Sequence, residues 1–223
     1  MSASRWERIC AENVTEAREQ WSAVADPLKY IHVDPVAVSH HCPYHMRVKR
    51  QGGSKLDDWG RVREGRWDKK RRRALRTDIL AEDLAVHFLE GLPWEDTALW
   101  QRKLDKIRER GKIDGCRTEA ELRARYERLD RLFEQIQADG RLRTAEERGA
   151  SPSDDLFVSI DRAGGYLFGH GGSHRLAIAQ LLGLPTIPVR VLMRHAQWQK
   201  VREACARGEV PANHPDLTDC QSA

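Results

Sequence analysis

The sequence contains no long hydrophobic run. None of its apolar segments approaches the length of a membrane span, and the N-terminal residues lack the apolar core of a signal peptide. Its 5 cysteines are scattered without a CxxC pair, which favours a reducing compartment over a disulfide framework. We therefore expect a cytoplasmic protein with no membrane partner.

The chain also lacks a strong excess of charge of one sign. Its 38 Lys and Arg residues nearly balance 34 Asp and Glu, for a net charge of +4, which does not by itself indicate nucleic-acid binding. The strongest basic run, residues 69–73, either contacts a nucleic-acid backbone or begins a solvated helix. The second interpretation is favoured because aromatic residues do not interleave with the run. Nucleic acid is therefore an unfavoured partner.

A glycine-rich turn between a strand and a helix is the clearest functional signal. Gly169, Gly171 and Gly172 are free to adopt left-handed conformations, and a helix is predicted from Ser173 or His174. The N–H groups and dipole at such a helix start attract anions. The pattern predicts a phosphate site, although an ordinary strand-to-helix turn is the alternative. The predicted phosphate-binding residues are His170, Gly171, Gly172, Ser173, His174 and Arg175.

The segment after this turn predicts another strand, because Ile187, Val189, Val191 and Met193 alternate around Pro188. Together with the phrase His-Gly-Gly-Ser-His-Arg at residues 170–175, it resembles the ParB/sulfiredoxin superfamily. The resemblance covers residues 28–36 and 120–200 and is strongest to an uncharacterised ParB-like branch with a helical insertion. It implies an α+β fold with a small mixed sheet and a turn that cradles nucleotide phosphates.

One residue departs from the sulfiredoxin pattern. Ser173 stands where sulfiredoxins have their reactive cysteine, and a hydroxyl is a far weaker nucleophile than a thiolate at neutral pH. We therefore expect nucleotide binding to be retained and reduction of sulfinic acids to be absent.

The predicted organisation is one domain with additions at each end. Residues 1–27 form an N-terminal helix and residues 28–207 the ParB/sulfiredoxin-like domain, with a helical insertion at about 45–117. A capping box of Thr118 and Glu121 begins a long helix, and residues 156–160 and 166–168 form a hairpin. Residues 208–223 contain few apolar side chains and are expected to be disordered.

Two residues are predicted to be catalytic. Asp68 is the first candidate for a base or metal anchor, because aromatic cover from nearby tryptophans would desolvate its carboxylate. His174 is suited to hydrogen-bond a leaving oxygen. Trp59 and Trp67 either close over a bound nucleotide or fix the insertion to the core, and both alternatives stay open. The secondary site candidates are Asp34, Arg61, Trp67, Arg194 and His195.

The cluster at residues 40–45, His-His-Cys-Pro-Tyr-His, invites a metal-site interpretation. A tetrahedral site normally uses two separated pairs of ligands, and a second cluster is not visible in the sequence. A loop of surface histidines is favoured, so a metal site in the protein is not predicted.

These features predict a nucleotide-binding protein, most readily an ATP-dependent phosphotransferase or NTPase that acts on a small molecule. Its cofactors would be ATP or another nucleoside triphosphate, with Mg²⁺. The alternative is a nucleotide-gated regulatory or DNA-binding module without catalysis. ParB proteins carry a helix-turn-helix domain after this core, whereas only a short helix and a tail follow Met193 here. The oligomeric state and the phosphoryl acceptor are left open.

Overall fold

The computed structural model describes residues 4–52, 54–69, 73–75 and 79–220. The chain forms two compact units. The first, called the sheet unit here, comprises Met1–Ala74, Arg143–Ser173 and Pro185–Ala223. The second, the helical unit, comprises Leu75–Leu142 and His174–Leu184. In the described ranges, no helix combines the length and hydrophobicity of a membrane span.

A small mixed sheet organises the first unit and confirms the predicted α+β class. Its order is β1-β6-β4-β5-β2, and β3 also pairs with β6. β6 runs antiparallel to β1 and parallel to β3 and β4, while β4 and β5 form the predicted antiparallel hairpin. The strands described are β1 (Tyr30–Val33), β2 (His40–His41), β3 (Arg61–Arg63), β4 (Phe157–Ile160), β5 (Tyr166–His170) and β6 (Ile187–His195).

β6 is the central strand of this sheet. Every residue in it except Pro188 is buried, so both of its faces are covered. The strand extends to His195, two residues beyond the predicted alternation, because β3 pairs in register with residues 193–195. Arg194 and His195 therefore belong to the strand, and the helix Ala196–Ala206 begins directly after them.

The described residues of the sheet unit form the α-helices α1 (Arg5–Gln20), α2 (Pro43–Arg50) and α7 (Ala196–Ala206). α1 begins with a capping box between Ser4 and Glu7. The side-chain amide of Asn13 anchors α1 by donating to the Asp57 and Trp59 carbonyls, both at 3.0 Å. The Trp59 ring is fully buried between Trp6 and Phe157, which makes it a core residue.

The helical unit contains α3 (Ile79–Glu90), α4 (Ala98–Arg110), α5 (Glu119–Asp139) and, from its second residue, α6 (Ser173–Leu181). Thr118 caps α5 as predicted, accepting from the Glu121 N–H at 3.2 Å. The Glu121 carboxylate accepts from the Arg117 N–H, so the capping box is only half formed. The predicted apolar stripe of α5 is buried: Leu122, Tyr126, Leu129, Phe133 and Ile136.

The division into units differs from the predicted insertion at 45–117. Residues up to Ala74 belong with the sheet, because β3 joins β6 and the 3₁₀ turn Lys55–Asp58 packs between α1 and the sheet. α5, which the resemblance places in the core, belongs to the helical unit. These pairings link distant parts of the chain, and local sequence patterns do not report them. Positions 70–72 of the basic run lie outside the described residues.

The prediction of a disordered tail is wrong for residues 208–220. A 3₁₀ turn forms at Pro215–Leu217, and the Asp216 side chain is fully buried. Its carboxylate contacts Arg194 at 2.6 Å and accepts from the Trp198 indole at 2.9 Å. These buried contacts hold the tail against β6 and α7.

Candidate functional site

The predicted glycine turn forms between β5 and α6. Gly171 and Gly172 have φ values of +65° and +62°, a conformation that L side chains rarely adopt. A Cβ on Gly171 would collide with the Asp155 carbonyl oxygen, so packing also requires glycine there. Gly169 is different: it lies inside β5, where a Cβ would be 3.2 Å from the Phe157 carbonyl oxygen. Its role is close packing, and the left-handed conformation predicted for it is wrong.

α6 begins at Ser173, directly after the two left-handed glycines. The first N–H groups of a helix have no intrahelical acceptor, and they carry the positive end of its dipole. The structure therefore has a helix start at the position where the sequence predicted one. Binding of an anion there stays a prediction. The boundary between the two units falls between Ser173 and His174. Residues 170–173 belong to the sheet unit, and residues 174 and 175 belong to the helical unit.

In the sheet unit, Lys55 lies beside the strand that leads into the turn. Its ammonium donates to the Gly169 carbonyl at 2.8 Å and lies over the Phe168 ring, 5.8 Å from the centroid. His170 is the last residue of β5, and its ring faces Phe157 at 6.3 Å. Lys55 was not among the predicted site residues, yet it brings a positive charge to the end of β5.

His45, also in the sheet unit, is a buried imidazole without a hydrogen-bond partner for either ring nitrogen among the described residues. Burial lowers its pKa to about 3, and the positive charges of Lys55, His170 and Arg63 act in the same direction. The ring is therefore neutral at physiological pH, and its surroundings are electropositive.

Asp58 lies next to this imidazole, with 3.9 Å between its Oδ2 and His45 Nε2. Because His45 is neutral, this contact is not an ion pair. Burial raises the pKa of Asp58, although Arg63 and Arg61 oppose the increase. The other described carboxylates whose pKa is displaced all have it lowered. A carboxylate with a raised pKa is suited to accept a proton.

In the helical unit, His174 follows the turn as the second residue of α6. Burial lowers its pKa to about 4, with further lowering by Arg125 and Lys103 and a smaller opposing effect of Asp114. Its ring is neutral near pH 7, so it offers one donor and one acceptor nitrogen. Arg175, the next predicted phosphate ligand, is partly buried.

The structure does not support Asp68 as a base. Its carboxylate is buried and accepts from Arg162 Nε at 2.7 Å and Nη2 at 2.6 Å. Burial alone would raise the pKa of Asp68, but the hydrogen bonds from Arg162 lower it to about 2. Asp68 is desolvated, as the sequence suggested. The guanidinium of Arg162, which the sequence did not predict as a partner, lowers the pKa of Asp68 by more than desolvation raises it.

Three secondary candidates make structural contacts. Trp67 is buried and donates its indole N–H to the Arg63 carbonyl at 3.2 Å, so it belongs to the core. His195 caps α7 by accepting from the Gln197 N–H at 3.0 Å, and its Nε2 lies 2.9 Å from the Gly65 carbonyl oxygen. Arg194 binds Asp216 as described above. The hydrogen bonds described for these three side chains lie away from residues 170–175.

The remaining two secondary candidates, Arg61 and Asp34, also make structural contacts. The guanidinium of Arg61 donates to Asn13 Oδ1 at 2.7 Å and thereby helps to hold α1. Asp34 is exposed and accepts from the Val36 N–H at 2.8 Å, which caps the 3₁₀ turn Pro35–Ala37. Side-chain type alone did not distinguish such structural contacts from a ligand site.

The histidine cluster is not the surface loop that we expected. His40 and His41 form β2 against β5, Pro43 begins α2, and His45 is buried. No group of three or more metal-binding side chains occurs among the described residues. His45 lies on the buried side of α2, a short amphipathic helix. That helical pattern could have identified His45 as a buried residue, but the sequence analysis considered the histidines only as metal ligands or surface residues.

In comparisons with known proteins, no family model, curated protein or solved structure matches the chain. Its function has to be inferred from its own residues.

Proposed function

We propose that the chain binds a nucleoside triphosphate, accompanied by Mg²⁺, through the turn at residues 170–175 and transfers a phosphoryl group to a small molecule. The resemblance to the ParB/sulfiredoxin superfamily suggested the nucleotide. The observation that carries the proposal is the start of α6 directly after two left-handed glycines, in electropositive surroundings.

The electrostatic support comes from each unit separately. In the sheet unit, Lys55 reaches the end of β5 and its charge helps to keep His45 neutral. In the helical unit, Arg125 and Lys103 act in the same way on His174. Cations that disfavour a protonated imidazole also favour a bound phosphate, because both effects depend on the sign of the local potential.

Phosphoryl transfer needs charge neutralisation and a proton acceptor. The acceptor hydroxyl oxygen forms a bond to the γ-phosphorus while the bond to the bridging oxygen breaks, and the nucleoside diphosphate leaves. Arg175 and the N–H groups of the turn stabilise the phosphate oxygens. The neutral imidazole of His174, which neighbours Arg175 at the start of α6, takes the hydroxyl proton. Mg²⁺ would enter with the nucleotide and would neutralise part of its phosphate charge.

Nucleotide binding is tested by thermal denaturation with ATP, ADP or CTP, each with Mg²⁺. A ligand at a hundredfold excess over its Kd stabilises the folded state by about 2.7 kcal/mol. We expect Arg175→Ala to lose this stabilisation and to keep its circular dichroism spectrum. Arg18→Ala, which removes the same charge from the exposed face of α1, should retain it. Equal stabilisation of both variants would remove the turn from the proposal.

Turnover is tested with labelled ATP and a cell metabolite extract. Transfer of label to a small hydroxylated molecule supports the phosphotransferase. His174→Gln should then lower kcat about 10²–10⁴-fold, as expected for loss of a general base. Nucleotide binding without any product would instead support the nucleotide-gated regulatory module.

A further inference from the structure

The helical unit contains a cavity of about 160 Å³ at one face of α5. Most of its wall comes from this helix, and the start of α6 contributes the rest. Both contributions lie within the helical unit. The lining residues are Arg125, Tyr126, Arg128, Leu129, Leu132 and His174.

The polar part of this wall is cationic. Arg125 and Arg128 bring two guanidinium groups to it, and Arg125 Nη1 donates to the Asp114 carbonyl at 3.4 Å. The Asp114 carboxylate forms its ion pair with Lys103, and Arg125 acts on it through a weaker electrostatic interaction. Guanidinium groups bind carboxylate and phosphate oxygens with matched geometry. The imidazole of His174 is neutral and adds a hydrogen-bond donor.

The remaining wall is apolar. Leu129 is buried, Leu132 is half-buried, and Tyr126 contributes its ring. Apolar walls with a few convergent polar groups are typical of small-molecule sites. The cavity is thus able to cover a short carbon chain while its cations hold an acidic group.

We propose that this cavity binds a small acid, with the oxyanion on Arg125 and Arg128 and the carbon chain against Leu129 and Leu132. Its role as the site of the phosphoryl acceptor rests on the proposed function. The occupant is defined by its chemistry: a short carboxylate or a small phosphate ester.

Size separates this ligand from the nucleotide. At ~30 Å³ per water molecule, the cavity holds about five waters. It is well below the roughly 300–1,000 Å³ that pockets for drug-sized ligands enclose. A short hydroxy acid such as glycolate fits this space, whereas a nucleoside does not. The nucleotide therefore needs the turn, and the cavity is left for a smaller molecule.

The test uses glycolate, acetate and inorganic phosphate as probes, with neutral glycerol as a reference, at constant ionic strength. The NMR signals of His174 are followed as a function of pH and probe concentration. An anion beside this ring should raise its pKa from about 4, because the negative charge favours imidazolium. Glycerol should leave it unchanged. A preference for glycolate and acetate identifies a carboxylate site, and a preference for phosphate identifies a phosphate-ester site.

Two variants locate the binding. Arg125→Gln should weaken the Kd about tenfold or more, since it removes a charge-assisted hydrogen bond. Leu132→Phe keeps all charges and should also abolish binding by filling the space. Arg131→Gln is the matched control, because it removes one charge from an exposed position of α5 and should leave the Kd unchanged. An equal loss of affinity in Arg125→Gln and Arg131→Gln would indicate diffuse electrostatic attraction and would overturn the proposal. Unchanged affinity in all three variants would also overturn it.

The stabilisation by ATP and Mg²⁺ is measured on the same proteins. Retained stabilisation without glycolate, acetate or phosphate binding overturns this inference and leaves the proposed function standing. Binding of a small acid without nucleotide stabilisation supports the cavity as a site and overturns the proposed function.

Discussion

Two buried polar clusters in the sheet unit differ in how well their groups are paired. The Asp216 cluster joins that carboxylate to Arg194, Arg202 and Trp198, with a 2.6 Å contact to Arg194. Burial alone would raise the pKa of Asp216, but the two arginines outweigh it and lower the value. The His45 cluster contains an imidazole whose ring nitrogens lack hydrogen bonds among the described residues and the carboxylate of Asp58, whose pKa is raised.

The difference in pairing separates buried polar groups that stabilise the fold from those that are candidates for a functional role. A buried charge with matched partners holds distant segments together, as Asp216 does for the tail and β6. A buried titratable group that its surroundings leave unsatisfied costs free energy in the folded protein, so it needs another explanation. In the sheet unit, that description fits His45, whereas Asp58 is paired with Arg63 at 3.5 Å and Asp68 with Arg162.

The largest expected effect is at Asp216. Asp216→Ala leaves Arg194 and Arg202 buried without their carboxylate, and loss of one partner of a buried pair costs about 3–5 kcal/mol. Urea denaturation followed by tryptophan fluorescence measures this change. Glu209→Ala, which breaks the exposed pair with Arg207, is the control and should unfold at the wild-type urea concentration. A similar small effect of both substitutions would show that the Asp216 cluster does not hold the tail.

Gly171→Ala tests whether the turn is fixed by packing. A left-handed alanine costs about 1–3 kcal/mol anywhere, and at Gly171 the added Cβ also collides with the Asp155 carbonyl. Gly183→Ala is the matched control, since Gly183 has φ +62° and open space at its Cβ position. Urea denaturation should show the larger loss for Gly171→Ala. Equal losses would mean that the turn relaxes freely around a side chain.

The two clusters should respond to acid in different pH ranges. His45 has a pKa of about 3 when folded and 6.5 as an ordinary histidine, so the unfolded chain binds the proton first as the pH falls. Stability is unaffected above pH 6.5 and falls by about 2 kcal/mol by pH 5. Asp216 has a lowered pKa, and its contribution is present above 3.8 and lost below it. Urea denaturation at a series of pH values resolves both ranges. His45→Gln should reduce the loss between pH 6.5 and 5; an unchanged profile would contradict the assignment to His45.

The smallest change in the free energy of unfolding is expected for His45→Phe at neutral pH. His45→Phe replaces an imidazole without hydrogen bonds by an apolar ring and should stabilise the protein by about 1–2 kcal/mol. His195→Phe should destabilise it, because His195 has hydrogen-bond partners at both nitrogens. Urea denaturation compares the two variants. Loss of stability in His45→Phe would show that the imidazole has partners in solution.

Local patterns predicted much of the secondary structure. The apolar stripe of α5, its cap at Thr118 and the β4–β5 hairpin depend on neighbours within a few residues, and the structure has all three. The glycine turn is of the same kind, since left-handed glycines before a helix are visible in sequence. The nucleotide that the turn is proposed to bind stays a prediction.

Long-range contacts could not be predicted in this way. Arg162 contacts Asp68 and Arg194 contacts Asp216 across 94 and 22 positions of the sequence. The charge state of a carboxylate depends on groups within a few ångströms, whichever part of the chain supplies them. The sequence by itself determined which segments form helices, strands and the glycine turn. Only the tertiary structure decided that Asp68 and Asp216 are paired with arginines and that the ring nitrogens of His45 lack hydrogen bonds among the described residues, because burial and charge neighbours arise from packing.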